Sequence, residues 1–438
     1  MSVISRHPPG FHYIIANEIA ERFSYYGMRS VLVIFMTTQL LDRSGALSTM
    51  NASDATLWYH LFGVGNYLFP LFGALIADVV WGKYRTIIAL SLVYCAGHLV
   101  MSLDSTRFGL AIGLFLIALG AGGIKPCVSA HVGDQYRGYE ARTVSEGYSL
   151  FYVAINVGAG LSSLTIPWVL AHYGPHVAFA IPGVWMALAT LMFWCGRNRY
   201  VRVSPTPFHD YVRELRKPSS RATLLKLARL FIAISMFWAL FDQMGSSWVL
   251  QAQRMQRRLS IPGFGSFELL ASQLQAINPI LILIAAPIFS IWVYPWFERR
   301  RGFSLRTRIV VGLVLSGVSF LCIALAQHWI ALGETVSIGW QVLAYVILTI
   351  AEVLVSVTSL EIAYTHAPRV STSLVTSFYL LAVALGNGVA ALYNGICAPA
   401  IGGPESAMYF LIFSALPMIG ALVICTIRLG SSNQEISN

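Results

Sequence analysis

Asn17–Arg29 reads N-E-I-A-E-R-F-S-Y-Y-G-M-R and lies inside the first long apolar segment of the chain, residues 11–41. It carries four charged residues, although each charge at bilayer depth costs at least about 2.5–3.5 kcal/mol. The charges and two tyrosines recur at the spacing of one helix face: Glu18, Glu21, Arg22, Tyr25, Tyr26 and Arg29. The pattern predicts a helix whose polar face lines a solute pathway. Structural ion pairs between helices are the alternative interpretation.

The composition indicates a polytopic membrane protein. Of the 438 residues, 56% are hydrophobic and only 11% are charged, whereas soluble domains have about 25% charged residues. The mean hydropathy is +0.66. Twelve apolar stretches exceed or approach the ~20 residues that a membrane-spanning helix needs. Their approximate limits are 11–41, 52–80, 84–104, 108–132, 142–171, 176–195, 226–256, 267–297, 304–328, 337–366, 371–398 and 405–428.

Lysines and arginines set the expected orientation. With the N-terminus inside, 21 of the 29 basic residues lie in cytoplasmic segments, five in outer loops and three within spans. This asymmetry predicts cytoplasmic termini, and it explains the net charge of +10 without nucleic-acid binding. The expected domains are a six-helix bundle over 1–195, a linker over 196–225 with an amphipathic helix near 207–217, and a second six-helix bundle over 226–438.

The run E-x-x-E-R-F-x-Y-Y, from Glu18 to Tyr26, resembles the helix-one motif of the proton-dependent oligopeptide transporters. This POT/PTR2 family is a branch of the major facilitator superfamily. The resemblance implies an all-α membrane protein in which two six-helix bundles rock around a site near the midplane. The linker has no room for the extra helix pair of many bacterial members. The implied protein is a bacterial peptide transporter of the inner membrane.

Polar residues in the later spans of the first half extend the resemblance. His60 precedes Tyr67 of an N-Y-L-F-P run by seven residues and looks like the proton-sensing histidine of animal peptide transporters. Lys125 lies in G-G-I-K-P, which is similar to the family's helix-four run, and Asn156 matches its backbone-recognising amide. A structural histidine and a lysine that snorkels to the inner surface are the alternatives. The acidic Asp134 is expected in an inner loop.

Polar residues of the second half match the family less uniformly. Asp242 follows M-F-W-A-L-F, and Asn278 lies in Q-A-I-N-P-I. Glu352 lies at the centre of its span, and Glu361 is nine residues further on, which places the two on opposite sides of a straight α-helix. Only one of the two can face the cavity from a straight helix, and the resemblance implies that it is Glu352, with Glu361 at a gate or in an interhelical pair. Tyr379 stands where the family usually has tryptophan, so the pocket wall and the side-chain preference differ there.

The resemblance divides the polar residues between two roles. Proton coupling and gating are expected for Glu18, Glu21, Arg22, Arg29, His60, Lys125, Asp242 and Glu361. Peptide binding is expected for Arg22, Tyr25, Tyr26, Tyr67, Lys125, Asn156, Trp238, Asn278, Glu352, Ser356 and Tyr379. A zwitterionic peptide would lie between cations of the first bundle and Glu352. Arg29 and Asp242 are expected to pair on the outer side, where His60 would gain or lose contact with Asp242.

The expected function is proton-coupled import of di- and tripeptides by a monomer in a lipid bilayer, with protons as coupling ions and no cofactor or metal. Transport of nitrate or another small organic solute is one alternative, although an anion such as Glu352 does not suit nitrate. A peptide receptor without net transport and an exporter are further alternatives. An enzyme is not expected, because the sequence has no Ser/His pair, H-E-x-x-H run or convergent aspartates.

Overall fold

The computed structural model of the chain describes residues 7–215, 217–261, 265–298, 304–365 and 372–426. Six helices form the half of the protein before the linker. They are α1 Phe11–Thr38, α2 Ala52–Leu68, α3 Pro70–Leu75, α4 Lys83–Leu103, α5 Arg107–Gln135 and α6 Ala141–Cys195. The linker contains the short helix α7, Phe208–Leu215, where an amphipathic helix was predicted. We call the part before the linker the N-terminal half and the part after it the C-terminal half.

The C-terminal half contains ten helices and one hairpin among the described residues. The helices are α8 Pro218–Phe241, α9 Ser247–Gln253, α10 Ile277–Ile288, α11 Tyr294–Glu298, α12 Leu305–Ala331, α13 Gly339–Glu352, α14 Thr358–Thr365, α15 Thr372–Leu392, α16 Ala398–Ile401 and α17 Ala407–Thr426. Strands β1, Arg258–Ile261, and β2, Gly265–Glu268, pair in antiparallel fashion between α9 and α10.

Local sequence explains where several helices begin and break. Asn51 and Thr106 cap α2 and α5, because their side-chain oxygens accept hydrogen bonds from the backbone N–H groups of Asp54 and Gly109. The 55-residue α6 contains a break at Gly174, whose φ of 78° and ψ of −179° are not helical. Proline follows at position 175, so this Gly-Pro pair ends one pass and starts the next.

Ten helical segments of the described chain are long and apolar enough to cross a membrane. One of them, Ala141–Asn198, contains the break at Gly174 and covers both predicted spans of that region. Helix α1 is outside these ten because it carries four charged residues. The protein is therefore an all-α, multi-pass membrane protein. The exact number of twelve passes stays a prediction.

Several predicted spans contain helix interruptions that were not foreseen, and two of them lie at candidate site residues. A 3₁₀ turn, Asp242–Gly245, separates α8 from α9. A π-helical stretch, Val353–Val357, separates α13 from α14. The straight-helix geometry assumed for Glu352 and Glu361 was therefore wrong, because π-helix has a different number of residues per turn.

The loop assignment of Asp134 was also wrong. Asp134 lies in the last turn of α5, where its carboxylate pairs with Lys83 Nζ at 2.6 Å and with Arg137 Nη2 at 3.3 Å. Lys83 starts α4, so this ion pair holds α4 against the end of α5.

Each half has its own hydrophobic core. One core draws its buried apolar residues from positions 11–200, with Leu250 added, and the other draws them from positions 227–424. Glycine allows close crossing inside the first half: a Cβ added to Gly73 of α3 would lie 2.2 Å from the carbonyl oxygen of Gly123 of α5. The functional residues therefore lie where two separately packed halves meet.

Candidate functional site

A cavity of about 310 Å³ lies between the two halves. Its wall contains eleven residues that the sequence had singled out: Arg22, Tyr26, Arg29, Tyr67, Lys125, Asn156, Trp238, Asp242, Asn278, Glu352 and Tyr379. The basic ones come from α1 and α5 of the N-terminal half. The acidic ones come from the C-terminal half, so the two walls carry opposite charge.

Helix α1 supplies a compact ion cluster beside the cavity. Arg22 Nε lies 2.6 Å from Glu18 Oε1 and 3.0 Å from Glu21 Oε2. Its N–H is directed at Glu18, so the contact with Glu21 is ionic, and neither oxygen of Glu21 has a hydrogen-bond partner in the described chain. Both glutamates are 1% exposed and lie behind Arg22, outside the cavity wall. The two ion-pair contacts use only Nε, which leaves the Nη groups of Arg22 for the cavity.

Lys125 is the second cation of this wall. Its Nζ atom is buried without a hydrogen-bond partner among the described residues. It lies 4.2 Å from the ring centroid of Tyr25 and 4.4 Å from that of Tyr67. Two aromatic faces therefore lie beside this amine, and no carboxylate of the described residues forms an ion pair with it. The snorkelling alternative does not fit this position.

Arg29 and Asp242 form an ion pair between the halves. Arg29 Nη2 lies 2.5 Å from Asp242 Oδ1, and the two side chains are only 9% and 2% exposed. The 3₁₀ turn places Asp242 at a break in the α8–α9 span, where its carboxylate reaches α1. The family resemblance predicted this pair.

The ion pair continues into a buried polar network. Asn387 Nδ2 donates a short hydrogen bond to Asp242 Oδ2, and Asn387 Oδ1 lies 2.8 Å from His60 Nδ1. His60 Nε2 lies 3.0 Å from Ser246 Oγ. His60 was expected to contact Asp242 directly, but Asn387 lies between them. All these side chains are buried.

These contacts lie toward one end of the molecule, which we call the far side because α1 ends there; the near side is where α1 begins. Gln275 Nε2 also donates to the Ser30 carbonyl at 2.9 Å and joins the halves in the same region. The Arg29–Asp242 and Gln275–Ser30 contacts thus join the two halves on the far side of the cavity. Tyr152, another residue of the cavity wall, is 39% exposed.

Glu352 occupies the opposite wall, at the start of the π-helical stretch. Asn278 Nδ2 donates to Glu352 Oε2 at 2.7 Å and lies 3.1 Å from Thr349 Oγ1. Asn278 therefore orients the carboxylate. Ser356 is not in the cavity wall; its hydroxyl lies 3.0 Å from the Tyr379 hydroxyl and holds that wall residue.

Two further predicted residues differ from expectation or remain undecided. Tyr25 was expected to contact peptide, but it is fully buried behind the wall. Its hydroxyl accepts a hydrogen bond from Asn66 Nδ2 at 2.8 Å, and its ring supports Lys125. Glu361 lies in α14, but its side chain is outside the described residues.

Sequence reasoning missed Asn387, Ser246 and Gln275. Asn387 was visible as an amide in an apolar run, A-L-G-N-G-V-A, and Ser246 follows Gly245 in the segment that breaks α8 from α9. Neither signal says which partner the side chain meets.

The family comparison covers most of the chain. Residues 84–208 and 201–401 match the sequence model described as PTR2, the POT family. The matched range begins after the charged stretch of α1, so the contacts of that stretch are an independent observation.

Curated relatives are transporters rather than enzymes. Human solute carrier family 15 member 1 is 34% identical over 382 residues, which cover 73% of this chain and 52% of the relative. Peptide transporter 3 of Caenorhabditis elegans is 34% identical over 371 residues, which cover 73% of this chain and 51% of the relative. The chain thus spans about half the length of the curated relatives it matches.

Solved structures match over nearly the whole chain. An auto-inhibited POT family peptide transporter has a TM-score of 0.83 and 32% identity, covering 98% of this chain and 99% of its own. The POT family transporter PepTSo has a TM-score of 0.82 and 32% identity, covering 95% and 97%. These matches share the fold described above, a membrane protein of the major facilitator type. The chain belongs to the POT family.

Proposed function

We propose that this protein carries di- and tripeptides together with protons across a membrane by alternating access. One observation carries the proposal: the cavity between the halves has arginine and lysine on one wall and Glu352 on the other. A short peptide is a zwitterion with opposite charges at its two ends. A cavity with this separation of charge suits such a solute, whereas nitrate has no use for a buried carboxylate.

The peptide carboxylate would lie against Arg22 and Lys125. Arginine binds carboxylates through paired N–H groups, and both Nη groups of Arg22 are free of the ion cluster. The peptide ammonium would lie against Glu352, which Asn278 already orients. Asn156 Nδ2 donates to the Tyr152 carbonyl at 2.9 Å, so its Oδ1 and second N–H remain for the peptide backbone. Because these contacts are with the termini and the backbone of the peptide, peptides with different side chains can bind.

Proton coupling would operate at the ion pairs of α1. Glu21 shares Arg22 with Glu18, so a proton on Glu21 removes one of two carboxylates that compete for one guanidinium. Arg22 then becomes a better partner for the peptide carboxylate. On the far side, a proton on Asp242 would weaken its ion pair with Arg29 and favour opening. Protonation of Glu21 would thus be coupled to peptide binding, and protonation of Asp242 to opening of the far side.

The arrangement corresponds to a state that is closed on the far side. We assign the far side to the outer face of the inner membrane, which puts both termini in the cytoplasm, as the basic residues predict. The moving units are the bundles 1–195 and 226–438, each with its own core, and 196–225 joins them. Helix α7 of this linker would lie on the inner leaflet. We propose a monomer as the working unit, because the two halves of a single chain supply both charged walls of the cavity.

Uptake into proteoliposomes tests the proposal. Labelled dialanine should accumulate with an inward proton gradient and should stop accumulating when an uncoupler collapses it. Trialanine should compete, whereas alanine and nitrate at equal concentration should not. Protein-free liposomes give the background. Equal uptake with and without the gradient would refute proton coupling. Competition by nitrate would favour transport of a small anion. Binding of dialanine without uptake would favour a receptor.

A further inference from the structure

We propose that Asn387 is a positioning residue whose amide connects His60 to the Arg29–Asp242 ion pair and selects the ring nitrogen of His60 that exchanges a proton. The inference rests on the proton-coupled function proposed above. Asn387 is fully buried in α15, and it lies 327 positions from His60 in the chain. It contacts both His60 and Asp242, which do not contact each other.

The contacts of Asn387 fix the orientation of its amide. Its Nδ2 donates to the Asp242 carboxylate and, at 3.0 Å, to the carbonyl oxygen of Val383. Both partners are acceptors only, so the amide nitrogen must face them. A reversed amide would place its oxygen against two other oxygens. Oδ1 therefore faces His60.

The amide orientation in turn fixes the proton on the ring. Asn387 Oδ1 only accepts, so the contact of 2.8 Å requires a proton on His60 Nδ1. His60 Nε2 faces the hydroxyl of Ser246 at 3.0 Å, and a hydroxyl can donate or accept. Nε2 can thus gain or lose a proton while both contacts persist, whereas Nδ1 cannot. The exchangeable proton belongs on the side of Ser246.

The same amide transmits charge across the far side. The ionisable groups around His60 are Arg29 and Asp242, with the Tyr59 ring at 5.3 Å. A proton on Nε2 gives His60 a positive charge. Only the amide of Asn387 lies between this charge and the carboxylate of Asp242, which pairs with Arg29. A proton on Asp242 removes the anion that orients Asn387. Protonation of Asp242 weakens its contact with Arg29, and both events act through Asn387.

Gly63 of α2 makes this contact possible. A Cβ at this position would lie 2.4 Å from Asn387 Oδ1, which is too close for the amide to stay in place. Gly388, next to Asn387 in the chain, provides a matched control because its added Cβ would meet nothing nearer than Val64 Cγ2 at 3.9 Å. Comparing Gly63→Ala with Gly388→Ala therefore distinguishes the effect of displacing the Asn387 amide from the effect of any glycine-to-alanine substitution in these helices.

The test compares Asn387→Leu, Gly63→Ala and Gly388→Ala in proteoliposomes with dialanine. Gradient-driven accumulation should fall about tenfold or more in the first two variants, the loss expected for a mispositioned proton-exchanging group. Counterflow exchange without a gradient should stay within about threefold of wild type. Gly388→Ala should match wild type in both assays. Retained accumulation in Asn387→Leu and Gly63→Ala would overturn the inference, as would equal loss of both activities in folded protein.

A second readout needs no transport. Nitrogen-15 spectra of labelled protein at neutral pH should show His60 with a protonated Nδ1 and an unprotonated Nε2, assigned by subtraction of His60→Gln. Asn387→Leu should change this tautomer. The opposite tautomer in wild type would overturn the inference. A wild-type protein that neither accumulates nor exchanges dialanine would refute the proposed function alone, and the spectrum would then decide this inference.

Discussion

Replacing Asp242 by asparagine should open the far side of the protein. The substitution keeps the shape of the side chain and removes the negative charge that Arg29 contacts at 2.5 Å. Losing one partner of a buried ion pair costs about 3–5 kcal/mol because the other charge stays buried. We expect at least about 3 kcal/mol: the asparagine oxygen still accepts a hydrogen bond from Arg29, while its amide nitrogen loses the hydrogen bond from Asn387 Nδ2.

This cost falls on the closed state, because opening exposes Arg29 to water. At about 1.4 kcal/mol for each factor of ten, the closed population should lose a factor of roughly 100 relative to the open one. The double variant Arg29→Gln/Asp242→Asn removes both charges and should shift the equilibrium much less. The double variant therefore separates an unpaired charge from a general loss of packing.

Distances between spin labels on the two halves measure the shift. Ser44 lies in the connection between α1 and α2, Glu334 lies just after α12, and both are exposed on the far side. With the native cysteines replaced, Ser44→Cys and Glu334→Cys carry the labels. Asp242→Asn should lengthen the distance in most molecules. An unchanged distance distribution, or an equal shift in the single and double variants, would show that the ion pair does not hold the far side closed.

Three further predictions concern the cavity and the packing of the N-terminal half. Glu21→Gln should abolish gradient-driven uptake of dialanine and leave counterflow partly intact, because the glutamine cannot exchange a proton; loss of both in folded protein would instead indicate a structural role. Glu352→Gln should weaken dialanine binding by about 10- to 100-fold, the value of one charge-assisted contact, and leave N-acetyl-dialanine binding within about threefold; equal loss for both ligands would refute the ammonium site. Gly73→Ala should lower the unfolding free energy by about 1–3 kcal/mol through overpacking against Gly123. The control Gly395→Ala should leave the melting temperature close to wild type, because its Cβ would lie 3.5 Å from a leucine side chain.

The sequence alone determined the kind of protein and the main parts of its site. Apolar stretches and basic loops identified a multi-pass membrane protein, because the bilayer imposes length and charge on each span. Helical spacing put Glu18, Glu21, Arg22 and Arg29 on one face of α1, and the structure confirms that this face carries the ion cluster and the contact with Asp242.

The sequence could not determine what faces that polar surface. Arg29 and Asp242 are 213 positions apart, and only the family resemblance, not a local pattern, predicts that they pair. Asn387 reaches both His60 and Asp242 because the two halves close on each other, which no local pattern encodes.

Helix interruptions were the other feature that only the tertiary structure decided. The 3₁₀ turn at Asp242 and the π-helical stretch after Glu352 place both carboxylates at the cavity. Apolar periodicity describes regular helices, so it puts Tyr25 on the cavity face together with Tyr26. Packing against Asn66 instead buries Tyr25 and makes it a support for Lys125. Side-chain type and spacing fix which groups are available, and the packing of neighbouring helices decides which of them a solute can reach.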